Sequence, residues 1–154
     1  MSKTRTIQRE FLLEAFGFPV MLLNVPMVKV EGEWTPDVNY NEIEEALFAA
    51  LPSKPNRLTG NDLRFIRQHC AMTLKAFGAE FGKSHAAVKK WEDFADLPTT
   101  MDWCTEKDIR LFVQFRVNAR ARDFRALYRQ LRQVADAAPS RVAFDFTKRE
   151  VAIA

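Results

Sequence analysis

The sequence predicts a mainly α fold. A helical domain is expected over residues 58–117, a small α+β portion before it over residues 1–57, and a helix followed by a strand over residues 118–154. Three observations predict this. Apolar residues recur at helical spacing, as in Ile43, Leu47 and Leu51, and in Phe124, Leu127, Tyr128, Leu131 and Val134. Ser or Thr stands just ahead of four such runs, at Thr59, Thr73, Ser84 and Thr105, where a side-chain oxygen can satisfy the free N–H groups of a first turn. Strand-like patterns are confined to the flanks, in "PVMLLNVPMVKVEGEW" and "RVAFDFTK".

Each element follows in turn. Phe11, Leu12, Ala15 and Phe16 share one side of a short helix predicted over residues 5–16. One or two strands follow up to Trp34, with Gly32 at a turn; Pro26 limits its position to an edge or a bulge, because it cannot donate to a ladder. A helix starts near Asn41, where Glu42, Glu44 and Glu45 suit the positive end of the dipole. "PSKPNRLTG" is a Pro-rich connector and the expected boundary of the helical domain. Thr59, Thr73 and Ser84 cap three successive helices. Thr105 with Asp108 resembles a capping box ahead of the stripe Ile109, Phe112, Val113 and Val117. The last helix runs to about Ala137 and Pro139 ends it. Val142, Phe144 and Phe146 then alternate with Ala143, Asp145 and Thr147, the period of a half-buried strand. That strand is suited to pairing in a dimer or to closing the chain's own sheet with the 20–30 region.

At 154 residues, 47% hydrophobic and with 13 Phe, the chain can bury a core, which excludes bulk disorder. The net charge of +3 is unevenly spread. Residues 1–62 carry 6 Lys/Arg against 9 Asp/Glu, and residues 107–133 carry 8 against 2. The basic excess, with Arg116, Arg120, Arg122, Arg125, Arg129 and Arg132, suits a phosphate backbone or an ordinary solvated helix face. Cys70 and Cys104 form no CxxC, and His69 and His85 complete no zinc pattern, so buried free thiols and no metal are expected. The longest uncharged stretch, Ala15 to Val28, is 14 residues and broken by prolines. It is too short to span a bilayer and too interrupted for an export signal, so a cytoplasmic chain with no membrane partner is expected.

The chemistry concentrates in "MTLKAFGAEFGKSHAAVKKWED", residues 72–93. Phe77 and Phe81 lie four apart on one helix, Val88 and Trp91 three apart on the next, so each pair occupies one face. Gly82 stands where a left-handed residue is cheap only for glycine, and Gly78 is small where the two helices would touch. With Val88 and Trp91 inward, His85, Ala86, Lys89 and Lys90 turn outward behind an N-terminus capped by Ser84.

This segment resembles the helix–turn–helix of Cro/C1-type (XRE) transcriptional regulators, and with "LTGNDLRFIR" before it, more narrowly, the C-terminal half of MqsA-type antitoxins. Thr73, Phe77, Gly78, Phe81-Gly82, Ser84, Val88 and Trp91-Glu92 match in order and spacing. The resemblance implies a lambda-repressor-like helix–turn–helix domain that binds double-stranded DNA as a homodimer, with Thr73, Lys75, Lys83, Ser84, His85, Ala86, Lys89 and Lys90 at the interface. An antitoxin-like autorepressor would add a toxin-like protein partner. The family's pattern is departed from at Leu74, where a glutamine is usual, and at Lys83, where an apolar residue is usual. Ala86 and Ala87 carry no hydrogen-bonding side chains. The alternative is a protein-interaction module that keeps the motif without reading DNA. No GxGxxG, GxxxxGK[ST], HExxH or GxSxG is present, so neither an enzyme nor a cofactor is expected.

Overall fold

Residues 5–13 form a strand, not the helix that the spacing of Phe11 to Phe16 predicts. In the computed structural model, which describes residues 3–117, 121–131 and 141–153, β1 (Arg5–Leu13) pairs antiparallel with β2 (Val20–Val30), Arg5 opposite Val28 and Leu13 opposite Val20. Thr6 and Ile7 suit a pleated strand, and Gly17, in a left-handed conformation (φ 84°), lets the chain double back. Pairing along nearly the whole of β2 outweighs a weak local helix preference.

The other edge of β2 is shared. β4 (Val142–Asp145) lies parallel to Val20–Leu23, and β3 (Glu33–Pro36) antiparallel to Met27–Val30; β5 (Glu150–Ile153) pairs with β4. So the C-terminal strand closes the chain's own sheet with the 20–30 region, and β5 is an element the sequence reading lacks. Midway along β2, Asn24 is left-handed (φ 54°), a conformation asparagine tolerates. Across it the buried positions change phase, from Val20 and Leu22 to Val25 and Met27. The backbone changes phase too: the carbonyls of Leu23 and Pro26, three residues apart, both point away from β1, accepting from Phe146 (3.0 Å) and Asp37 (2.8 Å). The Asn24 amide donates to Asp145 Oδ1 at 2.8 Å. That carboxylate also receives the Thr147 N–H, and these donors, Asn24 foremost, hold its pKa below the usual carboxylate range. Pro26 tolerates its central place because its ring nitrogen faces the side where β3 is ending, not β1.

The chain divides into two compact units, residues 1–47 with 141–154, and residues 48–140. The first holds the sheet and most of α1 (Tyr40–Ala50), whose N-terminus Asn39 caps through Oδ1 to the Asn41 N–H at 3.0 Å. Ile43 and Leu47 are buried as their spacing predicts.

The second unit is helical. A 3-10 turn (Leu51–Ser53) leads to α2 (Gly60–His69), α3 (Leu74–Glu80), α4 (His85–Glu92), α5 (Trp103–Val117) and α6 (Ala121–Gln130). Leu58, Leu63, Ile66, Phe77, Val88, Ile109 and Val113 form its core. The connector before α2 is held by ions buried in that core. Arg110, fully buried, donates to the carbonyls of Pro52 (3.2 Å), Lys54 (2.5 Å) and Asn56 (2.5 Å) and to Glu106 Oε2 (2.9 Å). Glu106 Oε1 accepts from Arg57 Nε and from the Leu58 N–H. Lys54 pairs with Asp62 at 2.5 Å, and Asp62 with Thr59 forms a capping box. Burial lowers the Arg110 pKa, and the adjacent Glu106 carboxylate opposes that shift.

Several expectations are corrected. Among the described residues, one five-stranded mixed sheet and six helices, 44% helix and 26% strand, overturn the mainly α, lambda-repressor-like fold. The strands on the two flanks, each readable by its own pattern, join across 122 positions into one sheet with β1 and β5, which local pattern alone does not weigh. α5 starts two residues before Thr105 and is capped by Asp102, whose Oδ2 accepts the Thr105 N–H at 3.0 Å; the Thr105 hydroxyl donates back to Oδ1 at 2.7 Å. Cys70 is half-buried and Cys104 exposed, against the expectation of buried thiols. In the last helix Leu127 is buried, as is Leu131 just past its end, while Phe124 and Tyr128 stay exposed, the Tyr128 ring centre lying 3.9 Å from Lys107 Nζ. The part predicted beyond 131, with Val134, lies outside the described residues.

Candidate nucleic-acid interface

α3 and α4 are both short, and their ends are satisfied locally. Thr73 Oγ1 accepts from the Ala76 N–H and Ser84 Oγ from the Ala87 N–H, each at 3.1 Å. These caps fall where the sequence places them. Between the helices the Lys83 N–H reaches back to the Gly78 carbonyl at 2.8 Å, with Gly82 left-handed at φ 67°. A Cβ on Gly78 would stand 2.6 Å from the Lys83 carbonyl oxygen, so only glycine lets the turn fold onto α3.

The inner face of α4 is fixed by packing and by one buried carboxylate. Val88 is fully buried, Trp91 is 8% exposed, and Phe77 of α3 is fully buried, with Phe81 edge-on to both Phe77 and Phe112. Glu92, 2% exposed, accepts from Arg67 Nε (2.6 Å) and Nη2 (3.2 Å), and Arg64 Nε lies 3.6 Å away. Arg67 Nη1 also donates to the Met72 carbonyl. Gly60, first residue of α2, lies so close to the backbone of Trp91, Glu92 and Ala95 that a Cβ would come within 2.6–2.7 Å. α4 is therefore anchored at its C-terminal end, and its first turn is left at the surface.

All eight residues proposed from the sequence are exposed: Thr73 and Lys75 with α3, Lys83 in the turn, and Ser84, His85, Ala86, Lys89 and Lys90 with α4. On α4, His85 with Lys89 and Ala86 with Lys90 make two adjoining i, i+4 rows. The structure also brings in two carboxylates that sequence reasoning did not attach to this surface. Asp93 pairs with Lys89, and Asp102 Oδ1 lies 4.0 Å from Lys83 Nζ. Hydrogen bonds from Thr105 hold the Asp102 pKa below the usual carboxylate range. The i, i+4 spacing of Lys89 and Asp93 was a signal available in the sequence. Nothing in the sequence ties Asp102 to Lys83, 19 positions away.

The chain matches no protein-family model, no curated protein and no solved structure. Among the described residues no helix is long and apolar enough to cross a membrane. Of the basic run, Arg116 and Arg129 are exposed, the former stacked 5.3 Å over the Phe112 ring; Arg120 and Arg132 lie outside the described residues. Arg110, counted in the same basic excess, is not available to a ligand, because its charge is spent within the core.

Proposed function

We propose that this chain is a sequence-specific, double-stranded-DNA-binding transcriptional regulator that inserts the first turn of α4 into a major groove. The observation that carries the proposal is the partition of α4. Val88, Trp91 and Glu92 are buried, while Ser84, His85, Ala86, Lys89 and Lys90 face outward beside the exposed Lys83. A capped, outward helix N-terminus with lysines on the following turn is how helix–turn–helix proteins meet base edges and phosphates. Thr73 and the Ser84 end of α4 would contact phosphates. His85 and the lysines would reach base edges or backbone, and Ala86 could touch only a thymine methyl. This side-chain set is thin, so a homodimer reading two half-sites one helical turn apart supplies the specificity. As an antitoxin-like autorepressor, the chain would use its N-terminal portion to bind a toxin-like protein.

The test is fluorescence anisotropy with duplexes from upstream of its own gene. The expected result is binding that the double substitution Lys89→Ala/Lys90→Ala weakens at least tenfold. An unchanged affinity in that variant would remove α4 from the interface. A second reading, a protein-interaction module that keeps the helix pair without reading DNA, is favoured by one observation: Leu74, Ala86 and Ala87 offer no hydrogen-bonding side chain at the surface. Retention on heparin across a salt series separates the two, because only phosphate binding gives a steep salt dependence.

A further inference from the structure

We propose that Asp93 and Asp102 are built-in competitors for this surface, each holding one of its lysines in an ion pair that a DNA phosphate must displace. The inference rests on the DNA-binding reading and concerns how that binding is restrained.

Four lysines lie on or beside the two helices. Lys89 is paired with Asp93 and Lys83 with Asp102, whereas Lys75 and Lys90 have no carboxylate partner among the described residues. Both pairs are open to water: Lys89 and Asp93 are each 55% exposed in their side chains, Lys83 and Asp102 38% and 59%. Exposed pairs are weak and exchange partners readily, so a phosphate can replace either carboxylate. Neither carboxylate is well explained by the stability of α4. Asp93 is the C-cap of α4, the end where the dipole disfavours an anion, and a Lys-to-Asp order along the chain is the poorer orientation for an i, i+4 pair. Asp102 caps α5, where both its oxygens accept from Thr105 and the dipole favours an anion, so its charge serves that helix as well as holding Lys83. What the two charges have in common is a lysine of the proposed DNA surface.

The consequence is selective. Pairing half of the lysines internally removes charge from the sequence-independent attraction to phosphates. Among the described residues it leaves His85, Ala86 and Lys90 unpaired for base edges, so nonspecific binding is lowered more than specific binding.

The experiment measures anisotropy of a random-sequence duplex over a sodium chloride series, with the full chain and its variants. Asp96→Asn is the control: Asp96 is exposed, accepts from Asn61 Nδ2 at 2.8 Å, and pairs with no lysine among the described residues. Asp93→Asn and Asp102→Asn should each tighten binding about threefold at low salt and steepen the salt dependence by a fraction of one ion. Asp96→Asn should give less than half of that change in log Kd. In a Lys89→Ala background, Asp93→Asn should have only the control's effect. The proposal is overturned if Asp93→Asn matches Asp96→Asn, or if its effect survives Lys89→Ala, while the wild type still binds with a salt-dependent affinity. If no variant binds the duplex at all, the DNA reading fails and this inference fails with it.

Discussion

The sheet unit and the helical unit place their charges differently. In the sheet unit the ion pairs are at the surface, Arg5 with Asp37 at 3.6 Å and Arg149 with Glu42, and the buried residues are apolar: Val20, Leu22, Val25, Met27 and Phe144. In the helical unit Lys54–Asp62, Arg110–Glu106 and Arg67–Glu92 are in or next to the core, and Asp62, Glu106, Arg110 and Arg67 have further backbone partners. A sheet satisfies its own backbone through its ladders. The helical unit contains an irregular connector, residues 52–58, whose carbonyls need donors, and a fully buried guanidinium supplies them. Buried ions here substitute for secondary structure.

The helical unit depends most on Arg110. Arg110→Met should destabilise the helical unit by about 3–5 kcal/mol, because it leaves Glu106 partly unpaired and three carbonyls without a donor. Urea unfolding followed by Trp91 and Trp103 fluorescence measures it, and a cost below about 1 kcal/mol would mean the connector does not depend on that side chain. The sheet unit should be most sensitive to an apolar loss instead. Leu22→Ala should cost about 2–5 kcal/mol, read from hydrogen exchange of the β2 amides. Gly78→Ala should cost roughly 1–3 kcal/mol, because the added methyl meets the Lys83 carbonyl. If the melting temperature of that variant does not move, the turn is looser than the 2.8 Å bond from Lys83 to Gly78 indicates.

A smaller effect concerns acid. Asp145 has a folded pKa below its unfolded one, so the unfolded chain binds that proton more readily. Its contribution to stability is complete above the usual carboxylate range and is lost as pH falls through the folded value. The wild type should therefore lose sheet stability on acidification more steeply than Asp145→Asn, in parallel pH titrations of unfolding. Smallest of all, Arg5→Ala should change stability by less than about 0.5 kcal/mol, since both partners of its ion pair are solvated. A larger loss would show that the sheet unit also relies on its charges.

What the sequence made legible follows the range of the interactions. Thr59, Thr73 and Ser84 cap helices through contacts three residues away, and their positions could be read directly. Val88 and Trp91 face inward because they are three apart on one helix. The sheet was only half legible: residues 20–30 and 142–147 look like strands, but the residues 5–13 share a helix-compatible spacing until their partner is known. Glu92 looks like any acidic residue at a helix end; its anchor, Arg67, is 25 positions away on another helix. Arg110 looks like part of a basic face, because its partners are carbonyls some 55 positions earlier and carbonyls carry no residue-type signal.

The left-handed Asn24 has a consequence for the outer side of β1. Ile7 lies opposite Pro26 and Glu10 opposite Leu23, so both turn their own peptide groups outward although they stand three residues apart. A foreign strand in step with residues 5–8 is therefore out of step from Glu10 onward. The nine-residue margin of the sheet offers a template only half as long as it looks, which guards the chain against fibril growth by edge-to-edge stacking.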